Sequence, residues 1–356
     1  MKVLNMRKFI DIGGRKIGDG HQPFIIAEIS GNHNGDLSRA FRIIDAAYEA
    51  GADAVKLQTY TADTMTINSD LPDFQITQGT WAGYNLYDLY RDAATPWEWH
   101  APLFEYAKSK GLEIFSTPFD ESSVDFLESF SPALYKVASF ELTDHPLLQY
   151  IARKGRPIII STGMASIEEI EAAVQVIKNS GNDQIIVLHC ISGYPTPVNQ
   201  SNLRTIPDLE KRLGLNIGLS DHTLSNAVAI TAVGLGACVI EKHITLKRSD
   251  GGPDATFSLE PEEFKKLVAD CKDAFLALGS AGYVRREVEK GNAIFRRSIY
   301  VVENVKKGDV LTEKNVRRIR PGYGLAPERY REILGSIASR DLHVGKALAE
   351  DDFQPQ

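Results

Sequence analysis

Short apolar runs and longer amphipathic stretches alternate along this chain with a regularity that can be counted. Runs rich in β-branched residues at 24–30 (FIIAEIS), 54–60 (AVKLQTY), 113–119 (EIFSTPF), 133–139 (ALYKVAS), 157–163 (PIIISTG), 184–190 (QIIVLHC), 216–223 (NIGLSDHT) and 238–245 (CVIEKHIT) read as buried strands. Between them, stretches such as 38–51, 166–181 and 260–279 repeat apolar residues near i, i+3, i+4 and i+7, the spacing of one buried helix face. Ser166 with Glu169 makes a capping-box pattern, and so do Thr95 and Glu98 around Pro96 at a first helical position. Strand and helix alternating in this way predict an α/β fold, a TIM (β/α)8 barrel, because parallel strands need crossover helices and both sheet faces must be covered. A doubly wound open sheet is the alternative; eight regular units favour closure.

Two segments depart from the alternation. Residues 61–94 are too long for an ordinary βα connection and read as a lid over the catalytic face. Its aromatics, Phe74, Trp81, Tyr84, Tyr87 and Tyr90, either line a pocket or pack the loop down, and packing is the favoured reading. The Gly-rich stretch DIGGRKIGDG precedes the first barrel strand and reads as a turn, with no phosphate loop of the GxxxxGK[ST] type in the chain. Beyond residue 280 the pattern changes to a charged connector and then a β-rich unit of turns and short strands. The expected organisation is a barrel over 1–280, a linker over 281–294 and a small unit over 295–356. About 60 residues fold only marginally alone, so docking on the barrel or on a second subunit is expected.

Composition narrows the partners. A formal net charge of −7 over 356 residues argues against a phosphate-backbone binder, so no nucleic acid is expected. The opening MKVLNMRKFIDIGG is basic but lacks a continuous apolar run, and no later stretch approaches a membrane span; a cytoplasmic protein without a membrane partner is expected. Cys190, Cys238 and Cys271 lack CxxC spacing and read as small buried hydrophobes.

The C-terminal ends of barrel strands carry active sites. Here they offer Glu28, Lys56, Gln58, Ser116, Thr117, Lys136, Ser139, Ser161, His189, Ser220, His222, Glu241 and His243, a polar set where branched apolar side chains are usual. Lys56 and Lys136, with the hydroxyls of Thr117, Ser139 and Ser220, suit a phosphate and a carboxylate on one small ligand. For each lysine alone, an internal ion pair with Glu28 or Glu241 is an equal alternative. Ser220, Asp221 and His222 are consecutive, but side chains alternate along a strand, so they form no serine–histidine–aspartate relay among themselves. His222 and His243 end adjacent strands; two imidazoles there either hold a divalent ion or are hydrogen-bonded core histidines, and spacing does not separate the two. His189 is a third candidate ligand, and His33 reads as ordering the first loop.

The motifs AEISGNHNG (27–35), GADAVKLQTY (51–60), YKVASFE (135–141), STGMAS (161–166), YPTP (194–197), GLSDHT (218–223) and IEKHITLKRSDGGPD (240–254), with RPGYG (320–324), resemble the sialic acid synthase family over nearly the whole chain. The resemblance implies a C-terminal antifreeze-like (SAF) domain and condensation of phosphoenolpyruvate with an amino-sugar aldehyde to a nonulosonic acid. It makes His222 and His243 ligands of a divalent metal, Mn2+ foremost with Mg2+ or Co2+ as alternatives. Lys56, Thr117, Lys136, Ser139, Ser192 and Ser220 then hold phosphoenolpyruvate with Tyr194 nearby; Gln58, Glu141 and Asp254 face the sugar, and Glu28 is the acid/base group. Arg320 is expected to reach the sugar's N-acetyl group across a homodimer with exchanged C-terminal domains. Relatives that make N-acetylneuraminate carry asparagine where this chain has Ser192. The wording of 58–70, 86–100 and 249–264 is most similar to the subgroup that takes 2,4-diacetamido-2,4,6-trideoxy-altropyranose. The rival readings are an N-acetylneuraminate or legionaminate synthase, a metal-dependent aldolase and a non-catalytic carbohydrate-binding protein.

Overall fold

In a computed structural model, residues 9–355 are described; the basic start at residues 1–8 lies outside them. Eight parallel strands form the first unit's sheet among these residues: β1 (Phe24–Glu28), β2 (Ala54–Thr59), β3 (Glu113–Pro118), β4 (Tyr135–Val137), β5 (Ile158–Ser161), β6 (Ile185–Cys190), β7 (Asn216–Asp221) and β8 (Val239–His243). Each is paired with its successor from β4 to β8; β8 returns to β1, and the ladder continues through β2 to β3. β3 and β4 lie side by side without a ladder, so the barrel is nearly closed rather than an open sheet.

Side-chain alternation sorts every strand into two faces. Ile25, Ala27, Val55, Leu57, Val187 and Ile240 face outward and pack with helix residues such as Ile43, Leu103, Ile177 and Leu267 in the larger core. Phe24, Ile26, Phe115, Ile159, Ile186, Leu188 and Val239 fill the interior at the N-terminal end. That end is stoppered by a hairpin, Ile10–Ile12 against Arg15–Ile17, which contributes Ile10, Ile12 and Ile17 to the same cluster. Gly13 and Gly14, both at positive φ, make its turn, as the sequence predicts. Gly218 belongs to the interior layer for a different reason: a Cβ there would fall 2.6 Å from both Leu188 Cδ2 and the Val239 carbonyl.

The helices follow their patterns closely. Leu37–Glu49, Ile167–Asn179 and Pro261–Leu278 match the amphipathic stretches, and Ser166 and Glu169 form the capping box their spacing predicts. The capping box expected of Thr95 and Glu98 does not form. A 3-10 turn at Trp97–Trp99 leads into the helix His100–Ser109 without a side-chain cap, and the buried Thr95 hydroxyl meets His33 Nε2 at 3.3 Å instead. With its hydroxyl turned to His33, Thr95 does not face the first-turn N–H groups that a cap must accept.

The chain divides into two compact units, one ending at Gly279 and the other beginning at Ser280. In the second, Ser298–Val301 pairs antiparallel with Val316–Ile319, and Ile337–Ala338 with Phe353–Gln354. These short strands enclose a core of Ile299, Val301, Val305, Leu311, Val316, Ile333, Leu342 and Leu348. Among the described residues no helix is long and apolar enough to cross a membrane.

Candidate active site

Above its apolar floor the barrel interior turns polar, and the same alternation decides which side chains enter. Glu28, Lys56, Gln58, Lys136, Ser161, Cys190, Ser220, His222, Glu241 and His243 share inward parity and line one cavity of about 400 Å³. Residues of opposite parity do not. Ser116 bonds Thr59 on the outer face at 2.6 Å. His189 points outward, where its Nε2 meets the Ser201 carbonyl at 2.8 Å, so it is not a third metal ligand. Asp221 faces outward to Lys242 at 2.6 Å, which rules out a relay with His222.

Two lysines and two carboxylates form the centre. Lys56 Nζ lies 2.8 Å from Glu28 Oε2, 3.7 Å from Glu241 Oε1 and 3.3 Å from the Thr117 hydroxyl. Lys136 Nζ lies 3.8 Å from the same Glu241 oxygen and donates to Ser161 Oγ at 2.7 Å. Ser220 donates to Glu241 at 3.1 Å, and Gln58 Nε2 to Glu28 Oε1 at 3.0 Å. Register explains the grouping, since Glu28 stands opposite both Lys56 and His243, and Glu241 opposite Ser220. The internal ion pairs weighed as the alternative for each lysine are thus present.

Burial sets the electrostatics. It pushes the Glu28 carboxyl up to about 7, against the pull of Lys56 and with help from Glu241. Burial works against the Lys56 charge, but Glu241 and Glu28 outweigh it and hold Lys56 above the ordinary lysine value. Lys136 is lowered by its own burial. Glu141, beside the cavity mouth, is also pushed up to about 7 by burial, and burial raises Asp254.

The two imidazoles stand 5.5 Å apart, centroid to centroid. His222 Nδ1 meets the Ile191 carbonyl at 3.0 Å, so it carries the proton and leaves Nε2 as an acceptor. His243 Nδ1 is buried without a hydrogen-bond partner, 4.0 Å from Asp254 Oδ2. Burial, then His222 and the nearby ammonium groups, keep His243 well below the ordinary histidine value. His222 moves the other way: burial lowers it, but the Cys190 thiol and the Ile191 carbonyl more than compensate. Among the described residues no group of three His, Cys, Asp or Glu side chains has ligating geometry. Two neighbouring imidazoles, one with an orphaned ring nitrogen, do fit a divalent ion that keeps open positions.

Further orphaned atoms cluster here: Glu28 Oε2, Glu141 Oε2, Ser192 Oγ and Glu241 Oε2 are buried without hydrogen-bond partners. Glu28 Oε2 does face Lys56, but outside hydrogen-bond alignment. Buried polar atoms are normally satisfied, so their convergence marks a ligand site. Ser139 Oγ accepts from Gly163 N at 3.0 Å; Ser139 Oγ and Ser192 Oγ occupy the space a Cβ on Gly163 would take. The Tyr194 ring packs at a tilt against His222, centroids 4.5 Å apart, and Ser30 donates to Asp254. Arg320 is exposed in the second unit, at the end of a strand.

The lid expected over 61–94 contains a helix (Ala62–Met65), a 3-10 turn (Pro72–Phe74) and a second helix (Leu86–Ala93). Of its aromatics, Trp81 and Tyr90 line the cavity and the other three do not, so the packing reading fails for those two. Trp81 donates to the Pro253 carbonyl at 2.8 Å and packs on Tyr194 at 5.3 Å. Met65, Ile76, Leu86 and Leu89 make the lid side of the cavity apolar. Ser30, Glu241 and Phe257 also line the site and were not singled out as ligand contacts; the parity of Glu241 with His243 was the available signal.

The three cysteines are buried thiols outside any disulfide, as expected, although Cys190 lies on the cavity wall. Comparison with known proteins matches residues 43–283 to the NeuB family and 296–354 to the SAF domain. The chain is 44% identical to a pseudaminic acid synthase of Campylobacter jejuni (serotype O:23/36) over 93% of this chain and 96% of that one. It is 40% identical to an N,N'-diacetyllegionaminic acid synthase of Legionella pneumophila over 91% and 93%. A crystal structure of an N-acetylneuraminic acid synthetase from Leptospira borgpetersenii, in complex with citrate, superposes with a TM-score of 0.72 at 32% identity, covering 80% of this chain and 95% of that one.

Proposed function

The chain belongs to the NeuB family, the sialic acid synthases, and from that premise we propose that it is a pseudaminic acid synthase. It condenses phosphoenolpyruvate with 2,4-diacetamido-2,4,6-trideoxy-altropyranose to a nonulosonic acid and phosphate. The observation that carries this reading is the convergence of Lys56, Lys136, Glu28 and two imidazoles on one cavity of about 400 Å³. The apolar lid side, with Leu86 and Leu89, supports a sugar whose C6 is a methyl group.

In this reading Lys56 and Lys136 hold the phosphate and carboxylate of phosphoenolpyruvate, assisted by the hydroxyls of Thr117, Ser139, Ser192 and Ser220, with Tyr194 beside them. Gln58, Glu141 and Asp254 face the sugar. His222 and His243 hold a divalent ion, Mn2+ foremost, which when bound supplies Lewis-acid polarisation of the sugar's aldehyde oxygen. C3 of the enol attacks the aldehyde carbon, and positive charge develops at C2. Water adds at C2 as Glu28 takes its proton. The tetrahedral adduct expels phosphate by C–O cleavage while the two ammonium groups balance the departing charge. Residues 281–294 act as a linker between a barrel domain (1–280) and a SAF domain (295–356). Arg320 contacts the sugar's acetamido group from the partner of a domain-exchanged homodimer in the cytoplasm.

Phosphate release from phosphoenolpyruvate, measured with the altrose-configured sugar, the other diacetamido-trideoxyhexose and N-acetylmannosamine, tests the reading. Release is expected only with a sugar present and fastest with the first. A preference for either other sugar overturns the sugar assignment, and sugar-independent release overturns the condensation.

A further inference from the structure

We propose that Lys242 is a positioning residue that brackets both imidazoles from the outer face of the barrel. The proposal rests on the reading that His222 and His243 hold a divalent ion. Lys242 is fully buried on β8, directly before His243, with its side chain on the opposite face. Its ammonium donates to Asp221 Oδ2 at 2.6 Å and to the backbone carbonyl of Thr223, with the Thr223 hydroxyl at 3.4 Å. Asp221 Oδ1 in turn accepts the Thr223 N–H at 2.8 Å. The residues on either side of His222 are therefore both held by one ammonium.

His222 needs this support because of where it sits. β7 ends at Asp221, and the β7–β8 ladder ends with the Asp221–Lys242 pair. One residue later, the chain has left the sheet and is steadied from the other side by Thr196 N–H on the His222 carbonyl at 3.1 Å. A single lysine thus fixes the departing strand and, through its own backbone, the ring that faces it. Stability alone does not account for such a pair. Two buried charges are expensive to desolvate, and two apolar side chains of the same volume in that layer would generally serve as well or better. What the ion pair adds is direction: a carboxylate and a carbonyl are held at fixed distances from one point on the neighbouring strand.

The test uses the full-length protein treated with EDTA and titrated with MnCl2 by calorimetry, without substrate. Asp221→Asn/Lys242→Met removes both charges together, keeps an acceptor for the Thr223 N–H, and frees the Thr223 carbonyl. Lys242→Arg keeps the charge and alters the length and shape of the grip. The double variant is expected to bind Mn2+ 10- to 100-fold more weakly, the range for loss of a group that supports a metal ligand. Lys242→Arg should show a smaller loss in the same direction, and phosphoenolpyruvate affinity at Lys56 and Lys136 should stay within about twofold. Unaltered Mn2+ affinity in either folded variant overturns the proposal, as does an equal loss of Mn2+ and phosphoenolpyruvate affinity, which would mean general slackening. Wild-type protein that fails to bind Mn2+ would remove the metal reading itself, a result distinct from both.

Discussion

Replacing Glu28 by Gln should make the protein more stable and far less active, and the two effects should separate with pH. The Glu28 carboxyl is pushed up to about 7 by burial, with Lys56 already pulling it down, so the attraction of that ammonium is included in the value. From the ordinary 4.5 to about 7, at roughly 1.4 kcal/mol per pH unit, ionised Glu28 costs about 3 kcal/mol. The sign follows from the raised value: the folded state holds the proton more tightly, so this stabilisation is complete below pH 4.5 and lost as pH rises through about 7. Gln cannot ionise; its carbonyl can face Lys56, and the Gln58 amide can turn its oxygen to the new N–H donor. With roughly 0.6 kcal/mol per K for a unit of this size, E28Q should melt about 5 °C above wild type at pH 8 and level with it near pH 4.5. Turnover should fall by about 10²–10⁴, the contribution of a general base, and wild-type kcat/KM should rise with pH through about 7. Thermal unfolding in EDTA at both pH values, with a pH–rate profile, checks both. A Tm difference that does not change with pH, or a variant that keeps wild-type kcat, would refute the reasoning.

Alanine at His222 or His243 should abolish turnover and divalent-ion dependence, whereas full wild-type activity in EDTA would count against the metal role. Leu89→Ser should cut the preference for the 6-deoxy sugar over its 6-hydroxy counterpart by about 10- to 100-fold in kcat/KM, because an apolar wall rejects an added hydroxyl by about that much; an unmoved ratio would place the methyl elsewhere. Arg320→Ala should raise KM for the sugar about tenfold, the worth of one charge-assisted hydrogen bond, with little change in kcat; an unchanged KM would remove Arg320 from the site.

The barrel was legible because its signal is local: each strand is a short apolar run, and the run's length and spacing survive without any knowledge of partners. The inner polar ring was legible for the same reason once parity was applied. His222 and Ser220 alternate with Asp221, and the strand enforces it. The same rule places His189 outside the cavity. It neighbours Cys190, whose side chain enters the cavity, so His189 had to face the helices. Ser116, beside Thr117, left the site by the same rule. Long-range features were less accessible. Nothing near Thr95 in the chain announces that His33 will bury against its hydroxyl, and nothing in 61–94 tells Trp81 and Tyr90, which turn inward, from Tyr84 and Tyr87, which do not.

The charges in the cavity bear on how it can take an anion. Lys56 and Lys136 face Glu28 and Glu241, so much of the positive charge in the buried centre is already offset before an anion arrives. A ligand bearing a phosphate and a carboxylate brings about three negative charges into it. Uncompensated charge in such a place is costly, so binding must be matched by neutralisation. Two routes lie within the site. Lys56 and Lys136 can turn from Glu241 toward the anion. The orphaned His243 nitrogen, beside His222, offers a seat for a cation.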